Sequence, residues 1–295
     1  MSAANGMGAV TPPTAPSGVS AAGVAGRVLR GLAWAGQRLW LLAALLVLWE
    51  VLARQAGSLF IPPFSTIVTA FADTWLSDRP VALFLSDQFR ADVLPSLARL
   101  GAGYGMATVI GVCGGIVLGV WRQAGAFFNP LIRLGMAVPV TMLLPVAIVI
   151  FGITSGMNIF LIALGCLWPI LVNTYDGIRG LDTTMTTAAR SLRLSPRRHF
   201  LSVLLPGASP SIVAGMRISV GIGLVLMVIS ELFAATAGLG FFIVNQQKLF
   251  RFPELWSAIL LVALLGILLN GIFELAERSV LRWHRAAKAG AGDRR

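Results

Sequence analysis

The chain alternates between long apolar stretches and shorter segments that hold most of its polar and charged residues. A membrane-spanning helix needs about 20 predominantly apolar residues, and six stretches approach or reach this length. The pattern therefore predicts an all-α integral membrane protein with six transmembrane helices, over 36–54, 100–120, 134–153, 156–174, 212–235 and 255–275. Pro63, in the mixed segment 55–95, is expected to precede a short amphipathic helix outside the membrane.

The composition supports the membrane class. Of the 295 residues, 57% are hydrophobic and only 12% are charged, whereas about 25% of residues are charged in an ordinary soluble domain. The net charge of +11 suggests nucleic acid at first sight. However, the basic residues cluster between the apolar stretches, where membrane proteins have their cytoplasmic loops, and no nucleic-acid partner is expected.

The distribution of Lys and Arg predicts the orientation. With a cytoplasmic N-terminus, the inner segments hold sixteen Lys and Arg residues and the outer segments six, so both termini are expected in the cytoplasm. Residues 1–30 are rich in Gly, Ala, Pro, Ser and Thr and lack the charged start of a secretory signal, which indicates a disordered cytoplasmic tail. Residues 31–285 form the predicted transmembrane domain, and 286–295 a basic C-terminal tail.

A basic segment between the fourth and fifth spans, 183–205, is predicted to form two short cytoplasmic helices; we call it the island. Asp182 is a suitable cap for the first helix. Ser195 and Pro196 are a cap and a first residue for the second, and Pro206 is expected to end it because it lacks an N–H group and its ring clashes with the preceding turn. The first helix has one apolar face, formed by Met185, Ala188, Ala189 and Leu192.

The small side chains of that face favour docking into a groove of another protein, because a helix that lies on a membrane carries bulky Leu, Phe or Trp there. An alternative is a loop whose arginines merely contact anionic lipid headgroups. A DNA-binding helix-turn-helix is disfavoured, since a loop tied at both ends to spans is poorly placed to enter a major groove.

Glycines and prolines within the spans indicate close packing and kinks. The pairs Gly101/Gly105, Gly111/Gly115 and Gly115/Gly119 are spaced for close approach of two helix backbones. Pro139 and Pro145 in the third span, like Pro169 in the fourth, leave carbonyl groups that need a protein partner or a water-lined cavity. The first two are candidates for a translocation path, although such kinks also serve packing alone.

The island resembles the motif E-A-A-x3-G-x9-I-x-L-P of permease subunits of bacterial ABC importers. Thr187-Ala188-Ala189 occupies the first three positions, Arg193 the glycine position, and Val203-Leu204-Leu205-Pro206 the end. The departures are Thr187 for Glu and Arg193 for Gly. Arg193 implies either that this turn does not need a positive φ or that the kink lies one residue away. Six further fragments, among them WEVLARQAGSLFIPPFSTIV, VPVTMLLPVAIVIFG and WPILVNTYDGIRGLD, are similar to the nitrate/sulfonate/taurine subfamily of type I importers.

The resemblance implies the translocation subunit of an ATP-driven importer for a small anion, in the bacterial inner membrane. The implied partners are two copies of an ATP-binding subunit, a second permease copy as a homodimer, a periplasmic binding protein and the lipid bilayer. The chain has no G-x-x-x-x-G-K-[ST] motif, so ATP and Mg are expected on the partner; no cofactor, metal site or catalytic residue is expected here. The implied coupling residues are Met185, Thr187, Ala188, Ala189, Arg190, Leu192, Arg193, Leu194, Ser195, Pro196, Leu205 and Pro206.

Three polar residues in the spans are further candidates for the path. Charged groups at bilayer depth are costly and mark function by default. In the resembled family the fifth span lines the path, so Glu231 is a candidate for the outer gate. Because its charge would repel an anion, we expect it to be paired or turned aside. Asn173 and Thr174, at the inner end of the fourth span, are neutral donors for an oxyanion.

Two other classes of function stay open. An ATP-independent secondary transporter or channel would need coupling carboxylates within the membrane, and the second to fourth predicted spans carry none. A membrane-anchored scaffold would have no effect on solute uptake. The sequence leaves the transported anion undetermined.

Overall fold

The computed structural model of the chain describes residues 40–77, 85–181, 187, 189 and 191–280. The predicted tails 1–30 and 286–295 therefore lie outside the described residues. The chain divides into two units after Ser58. In the first unit, helix α1 runs over 40–56 and covers most of the first predicted span; Glu50 accepts a 2.7 Å hydrogen bond from Arg54 Nε one turn away.

The described part of the second unit consists of helices and the segments that connect them, with one isolated bridge between Leu76 and Leu85. Among the described residues, four helices are long and apolar enough to cross a membrane, and they begin at Phe89, Ser155, Pro196 and Phe252. They contain the predicted second, fourth and sixth spans and the predicted fifth span as far as Phe233. In chain order the helices are α2 Phe64–Trp75, α3 Phe89–Val120, α4 Arg122–Ala137, α5 Leu144–Phe151, α6 Ser155–Arg179, α7 Pro196–Phe233, α8 Leu239–Lys248 and α9 Phe252–Val280.

The third predicted span, 134–153, is broken at Pro139, one of the two prolines expected to interrupt it, whereas Pro145 lies in the first turn of the helix that follows. The chain there forms the end of α4, a 3₁₀ turn Val140–Leu143 and α5, and the helices on either side of the break differ in direction by 81°. The break falls at Val138 and Pro139, whose backbones are extended. The residue before a proline is biased away from the helical region, so Pro139 interrupts the helix instead of kinking it. If this bent pair is counted as one span, the described part of the second unit has up to five spans.

Helix α6 packs between α3 and α7, and the glycines of α3 determine how closely. A Cβ added at Gly115 would lie 2.5 Å from Thr174 Cβ, and one at Gly119 would lie 2.7 Å from Ile178 Cβ. Likewise, a Cβ added at Gly103 would lie 2.8 Å from Ile162 Cβ, and one added at Gly111 would lie 2.9 Å from Ile170 Cγ2. In a bilayer, helices associate through such van der Waals packing because lipid is as apolar as the side chains.

The glycine pairs fall into two groups. Gly111/Gly115 and Gly115/Gly119 form the predicted close contact with α6, whereas a Cβ at Gly101 or Gly105 would meet nothing within 4 Å. Within the described part of the chain that pair makes no close helix contact, and the contact with α6 is formed instead by Gly103 and the buried Ala107. Both sets have the same four-residue spacing, and only the partner helix selects one of them.

Helices α2, α8 and α9 pack together beside this bundle. As expected, α2 begins directly after Pro63. The buried Trp75 of α2 donates a 3.1 Å hydrogen bond from Nε1 to Ser257 Oγ of α9, and its ring lies 4.9 Å from that of Phe242 on α8. These contacts join α2 to both α8 and α9.

Candidate functional site

The break in the middle of the island is confirmed. Leu194 and Ser195 are not helical, and the next helix begins at Pro196 with Ser195 as its N-cap. The Ser195 side chain makes no capping hydrogen bond; its carbonyl accepts from His199 N at 2.9 Å. Of the first island helix, the structure describes helical backbone at Thr187, Ala189 and Ser191, while Asp182, Met185, Ala188 and Arg190 lie outside the described residues.

Arg193 terminates the first island helix in a left-handed conformation, with φ at 51°. Leu194 N donates to Ala189 O at 3.3 Å, which is the six-to-one bond of a Schellman motif, where glycine is the usual residue at the left-handed position. The turn thus needs a positive φ at the motif's glycine position, and the interpretation that Arg193 relieves this need is wrong. An L-residue there costs about 1–2 kcal/mol.

Replacing Arg193 by Gly is expected to stabilise this turn, because the steric cost of a Cβ at positive φ disappears. A gain of about 1 kcal/mol corresponds to roughly fivefold slower opening. Hydrogen exchange measured by mass spectrometry on a peptide that contains Leu194 should slow by about that factor. Arg193→Ala is the matched control, since it removes the charge but keeps the Cβ; equal protection in both variants would contradict the explanation.

The predicted docking face of the first island helix is only partly open. Ala189 is 4% exposed in the isolated chain, whereas Leu192 is 73% exposed. Thr187 and Arg193 are exposed as well. Of the described residues at this end of the island, Leu192 and Arg193 are open to a partner, whereas Ala189 packs within the chain.

Pro206 does not end the second island helix, contrary to the prediction. The helix that begins at Pro196 continues without a break to Phe233 as α7. A π-helical turn, Phe200–Leu204, precedes the proline, and Leu205 N donates to Phe200 O five residues back. The wider turn accommodates a residue that has no N–H group and whose ring would crowd a normal turn. The predicted coupling segment is thus physically continuous with a membrane span.

The candidate path residues occupy two different environments. Pro139 and Pro145 are exposed at the bend between α4 and α5. Asn173 is half-buried and donates from Nδ2 to Pro169 O at 2.8 Å. Thr174 is fully buried against α3, and its hydroxyl donates to Ile170 O at 2.7 Å. The donors of Asn173 and Thr174 are thus engaged within α6, while the two prolines face outwards.

Glu231, near the end of α7, is paired as expected. Arg99 Nη1 lies 2.8 Å from Glu231 Oε1, and the two side chains are 10% and 0% exposed. The same nitrogen donates to Ala237 O at 2.7 Å, and Arg99 Nε donates to Ser155 Oγ at 3.1 Å. The pair therefore joins the beginning of α3, the beginning of α6 and the end of α7.

The N-terminus of α8 is capped by side chains from α3 and α7. Its first N–H groups, on Gly238, Leu239 and Gly240, donate to Asp92 Oδ1, Ser96 Oγ and Glu231 Oε2 at 2.9, 2.9 and 3.1 Å. Carboxylates are favoured there because the helix dipole is positive at this end. We call Asp92, Ser96, Arg99 and Glu231, with these amides, the capping cluster.

Gly238 is required in the capping cluster for two reasons. Its φ of 128° lies in a region that side chains rarely adopt. In addition, a Cβ there would lie 2.5 Å from Glu231 Cδ. Only glycine allows the backbone to come this close to the Glu231 carboxylate.

Sequence reasoning found Glu231 but missed its partners. Asp92, Ser96 and Arg99 precede the predicted second span, 100–120, because charged residues lower the hydrophobicity of any window that contains them. A usable signal is their spacing: residues three and four positions apart lie on one face of a helix. All are buried, and the π-helical turn Phe89–Val93 includes Asp92.

Comparisons with known proteins agree with the fold and with the resemblance to importer permeases. Residues 107–282 match the family model described as binding-protein-dependent transport system inner membrane component. A putative aliphatic sulfonates transport permease of Bacillus subtilis is 28% identical over 83% of this chain and 86% of its own length. A bicarbonate transport system permease of Synechococcus elongatus is 32% identical over 64% of this chain and 68% of its own.

The MetNI methionine ABC transporter in an inward-facing conformation contains a similar fold. The match has a TM-score of 0.57 at 20% identity and covers 66% of this chain and 99% of that one. The family model covers more than half of the chain, and its membrane helices and island lie within or beside the matched region. The chain thus belongs to the binding-protein-dependent transport system inner membrane components, the permease subunits of type I ABC importers.

Proposed function

We propose that the chain is the translocation subunit of an ATP-driven importer for a small anion of the sulfonate, taurine, nitrate or bicarbonate kind. The named functions of its relatives support this range of substrates. The net charge of +11 is consistent with an anionic cargo but does not select one member of the range.

The proposed assembly has two copies of this chain, two ATP-binding subunits and a periplasmic binding protein. The chain lies in the bacterial inner membrane with both termini in the cytoplasm, as its Lys and Arg distribution favours. In this orientation the island faces the ATP-binding subunits, and the capping cluster lies near the outer surface. ATP and Mg bind to the partner, and this chain carries no catalytic residue.

The continuity of α7 is the observation that carries the proposal. The helix has 38 residues and, at 1.5 Å per residue, is about 57 Å long. It thus exceeds the hydrocarbon thickness of about 30 Å. One rigid element therefore extends from Pro196 in the island to Glu231 in the capping cluster. A displacement of the island by the closing ATPases would be transmitted directly to the outer end of the span.

Alternating access then takes the following form. The island follows its ATP-binding subunit, α7 tilts, and the bend at Pro139 between α4 and α5 takes up the change in direction. The exposed Pro139 and Pro145 remain candidates for the path, together with Asn173, Thr174 and Glu231. Opening at the outer side must alter the contacts that Glu231 makes with Arg99 and with α8.

Leu192→Asp tests the docking role of the island. We expect this change to reduce copurification of the ATP-binding subunit and to lower uptake at least tenfold. The substitution would place a charge at the exposed position 192, where the proposed partner offers an apolar groove. Uptake of labelled taurine, an alkanesulfonate, nitrate and bicarbonate is measured in a deletion strain that carries each variant, which also identifies the cargo.

Ser191→Asp is the matched control. Ser191 directly precedes Leu192 and is also exposed. Its hydroxyl donates a hydrogen bond to Thr187 O at 3.1 Å, within the first island helix. The same charge there should leave copurification within about twofold of wild type. Equal losses from both variants, or normal assembly and uptake with Leu192→Asp, would exclude docking through Leu192. No change in the uptake of any of the four anions on deletion would refute the proposed cargo class.

A further inference from the structure

A polar cavity of about 500 Å³ lies where α2, α8 and the beginning of α9 meet. Its wall carries side chains of α2, including Thr69 and Asp73, and of α8, including Gln246. Arg251, directly before α9, and Glu254, in the first turn of α9, close another side. The cavity is separate from the island and does not include the Arg99–Glu231 pair.

The cavity is rich in acceptors that the described residues leave unused. Gln246 is 6% exposed, and its buried Oε1 has no hydrogen-bond partner. The Asp73 carboxylate makes no ion pair or hydrogen bond with any described residue. The single cation of the described wall, Arg251, donates to Glu254 from Nη2 at 2.5 Å and from Nε at 3.0 Å. A buried acceptor without a donor is costly, so this wall favours an incoming group with N–H donors.

The balance of charge selects the kind of donor. Two carboxylates, Asp73 and Glu254, face one guanidinium, so the described wall has an excess of one negative charge. A small anion of the proposed cargo class would be repelled here. A guanidinium or an ammonium group supplies both the N–H donors for Gln246 and the positive charge for Asp73.

We propose that this cavity is a socket for an arginine or lysine side chain of the soluble protein that meets this face of the permease. The inference rests on the proposed function, whose orientation places α2 and the turn before α9 outside the membrane, where the binding protein docks. Asp73 is exposed at the rim of the cavity, whereas Gln246 is buried. A long, flexible side chain can bring its N–H donors from the rim into the cavity and contact both residues.

Occupation of the socket would act on α8. Phe242 and Gln246 of α8 line the cavity, and the N-terminus of the same helix donates to Asp92, Ser96 and Glu231. Gly240 and Gln246 are six positions apart on α8, so both ends of this link lie on one short rigid element. A docked side chain is thereby connected to the outer end of α7.

The test is a titration of the purified full chain in lipid nanodiscs with Nα-acetyl-arginine amide, followed by saturation-transfer NMR. Nα-acetyl-citrulline amide is the neutral probe of the same shape. We expect the arginine probe to bind at least fivefold more tightly than the citrulline probe. Asp73→Asn should remove most of this preference, and Gln246→Leu should weaken binding of the arginine probe at least threefold.

Asp87→Asn is the matched control. Asp87 is exposed and lies in sequence between Ser86 and Gln88, which line the cavity, but it does not line the cavity itself. It should leave the preference unchanged. Equal binding of the two probes, or equal effects of Asp73→Asn and Asp87→Asn, would overturn the proposal. If the Arg79→Ala variant binds the arginine probe more tightly than the wild-type chain does, the proposal is also overturned. Such a result would mean that Arg79 of this chain occupies the cavity and competes with the probe.

Free L-arginine separates a socket from a site for cationic cargo. Its α-carboxylate would be repelled by Asp73 and Glu254, so a socket should bind it no more tightly than the acetylated amide; clearly tighter binding would overturn the proposal. The assay requires neither ATP hydrolysis nor uptake. A negative titration therefore leaves the proposed transport function intact, and a failed uptake experiment leaves the titration meaningful.

Discussion

Gly115→Leu is expected to prevent native packing of the purified chain, and Gly115→Ala to lower its free energy of unfolding by about 1–3 kcal/mol, the usual cost of overpacking. The added Cβ would lie 2.5 Å from Thr174 Cβ and 2.7 Å from Leu171 O. Carbon atoms pack best at about 3.5–4.0 Å, so at least one helix must move.

Neither neighbour of Gly115 can yield cheaply. Leu171 O belongs to the α6 backbone, and the β-branched Thr174 is stiff at χ1. A shift of α6 away from α3 would press it into α7, where a Cβ at Gly215 would already lie 2.7 Å from Pro169 O. The helix between the two contacts has no free side to move towards.

Gly105→Ala is the control for the Gly115 variants. It adds the same methyl group to the same helix, but nothing lies within 4 Å of the new Cβ, and alanine favours helix by up to about 1 kcal/mol. Titration with sodium dodecyl sulfate, followed by tryptophan fluorescence, measures both variants in detergent. Equal losses for Ala at 105 and at 115 would show that the α3–α6 contact is not the cause.

The apolar pattern was sufficient to locate most helices but not their limits. The core of α3 was visible in residues 100–120, whereas its first part, from Phe89, looks like a loop. Arg99 and Asp92 are charged, and their partners Glu231 and Gly238 are more than 130 residues away in sequence. The hydrophobicity of a sequence window depends only on the residues within it, so it does not include a counter-ion that lies so far away in the chain.

Proline had three different outcomes that the sequence alone does not distinguish. Pro139 breaks a helix, Pro169 lies inside α6, and Pro206 lies near the start of a continuous segment of α7. The π-helical turn before Pro206 allows the helix to continue past this proline. The residue types in such a turn do not distinguish it from an ordinary helical turn. Ser195-Pro196, by contrast, was predictable, because proline at the first helical position needs no N–H partner.

Glu231→Ala is expected to destabilise the chain by about 3–5 kcal/mol, the range found when one member of a buried ion pair is removed. Arg99 would remain 8% exposed without its counter-ion, and Ser96 Oγ and Gly240 N would lose an acceptor. Glu231→Gln keeps the shape and one acceptor oxygen, so a smaller loss is expected. Because the same carboxylate helps to fix the N-terminus of α8, uptake should fall in both variants.

A double-mutant cycle determines whether Glu231 acts through Arg99. If Arg99→Met and Glu231→Gln remove the same interaction, the double variant should lose at least 1 kcal/mol less than the sum of the two single losses. Arg278→Gln is the reference for an exposed pair, because Arg278 and Glu274 form a 2.6 Å contact with side chains 57% and 44% exposed; its loss should not exceed about 0.5 kcal/mol. Additive losses at Arg99 and Glu231 would mean that the two residues stabilise the end of α7 independently, and the capping cluster would then not act as one unit.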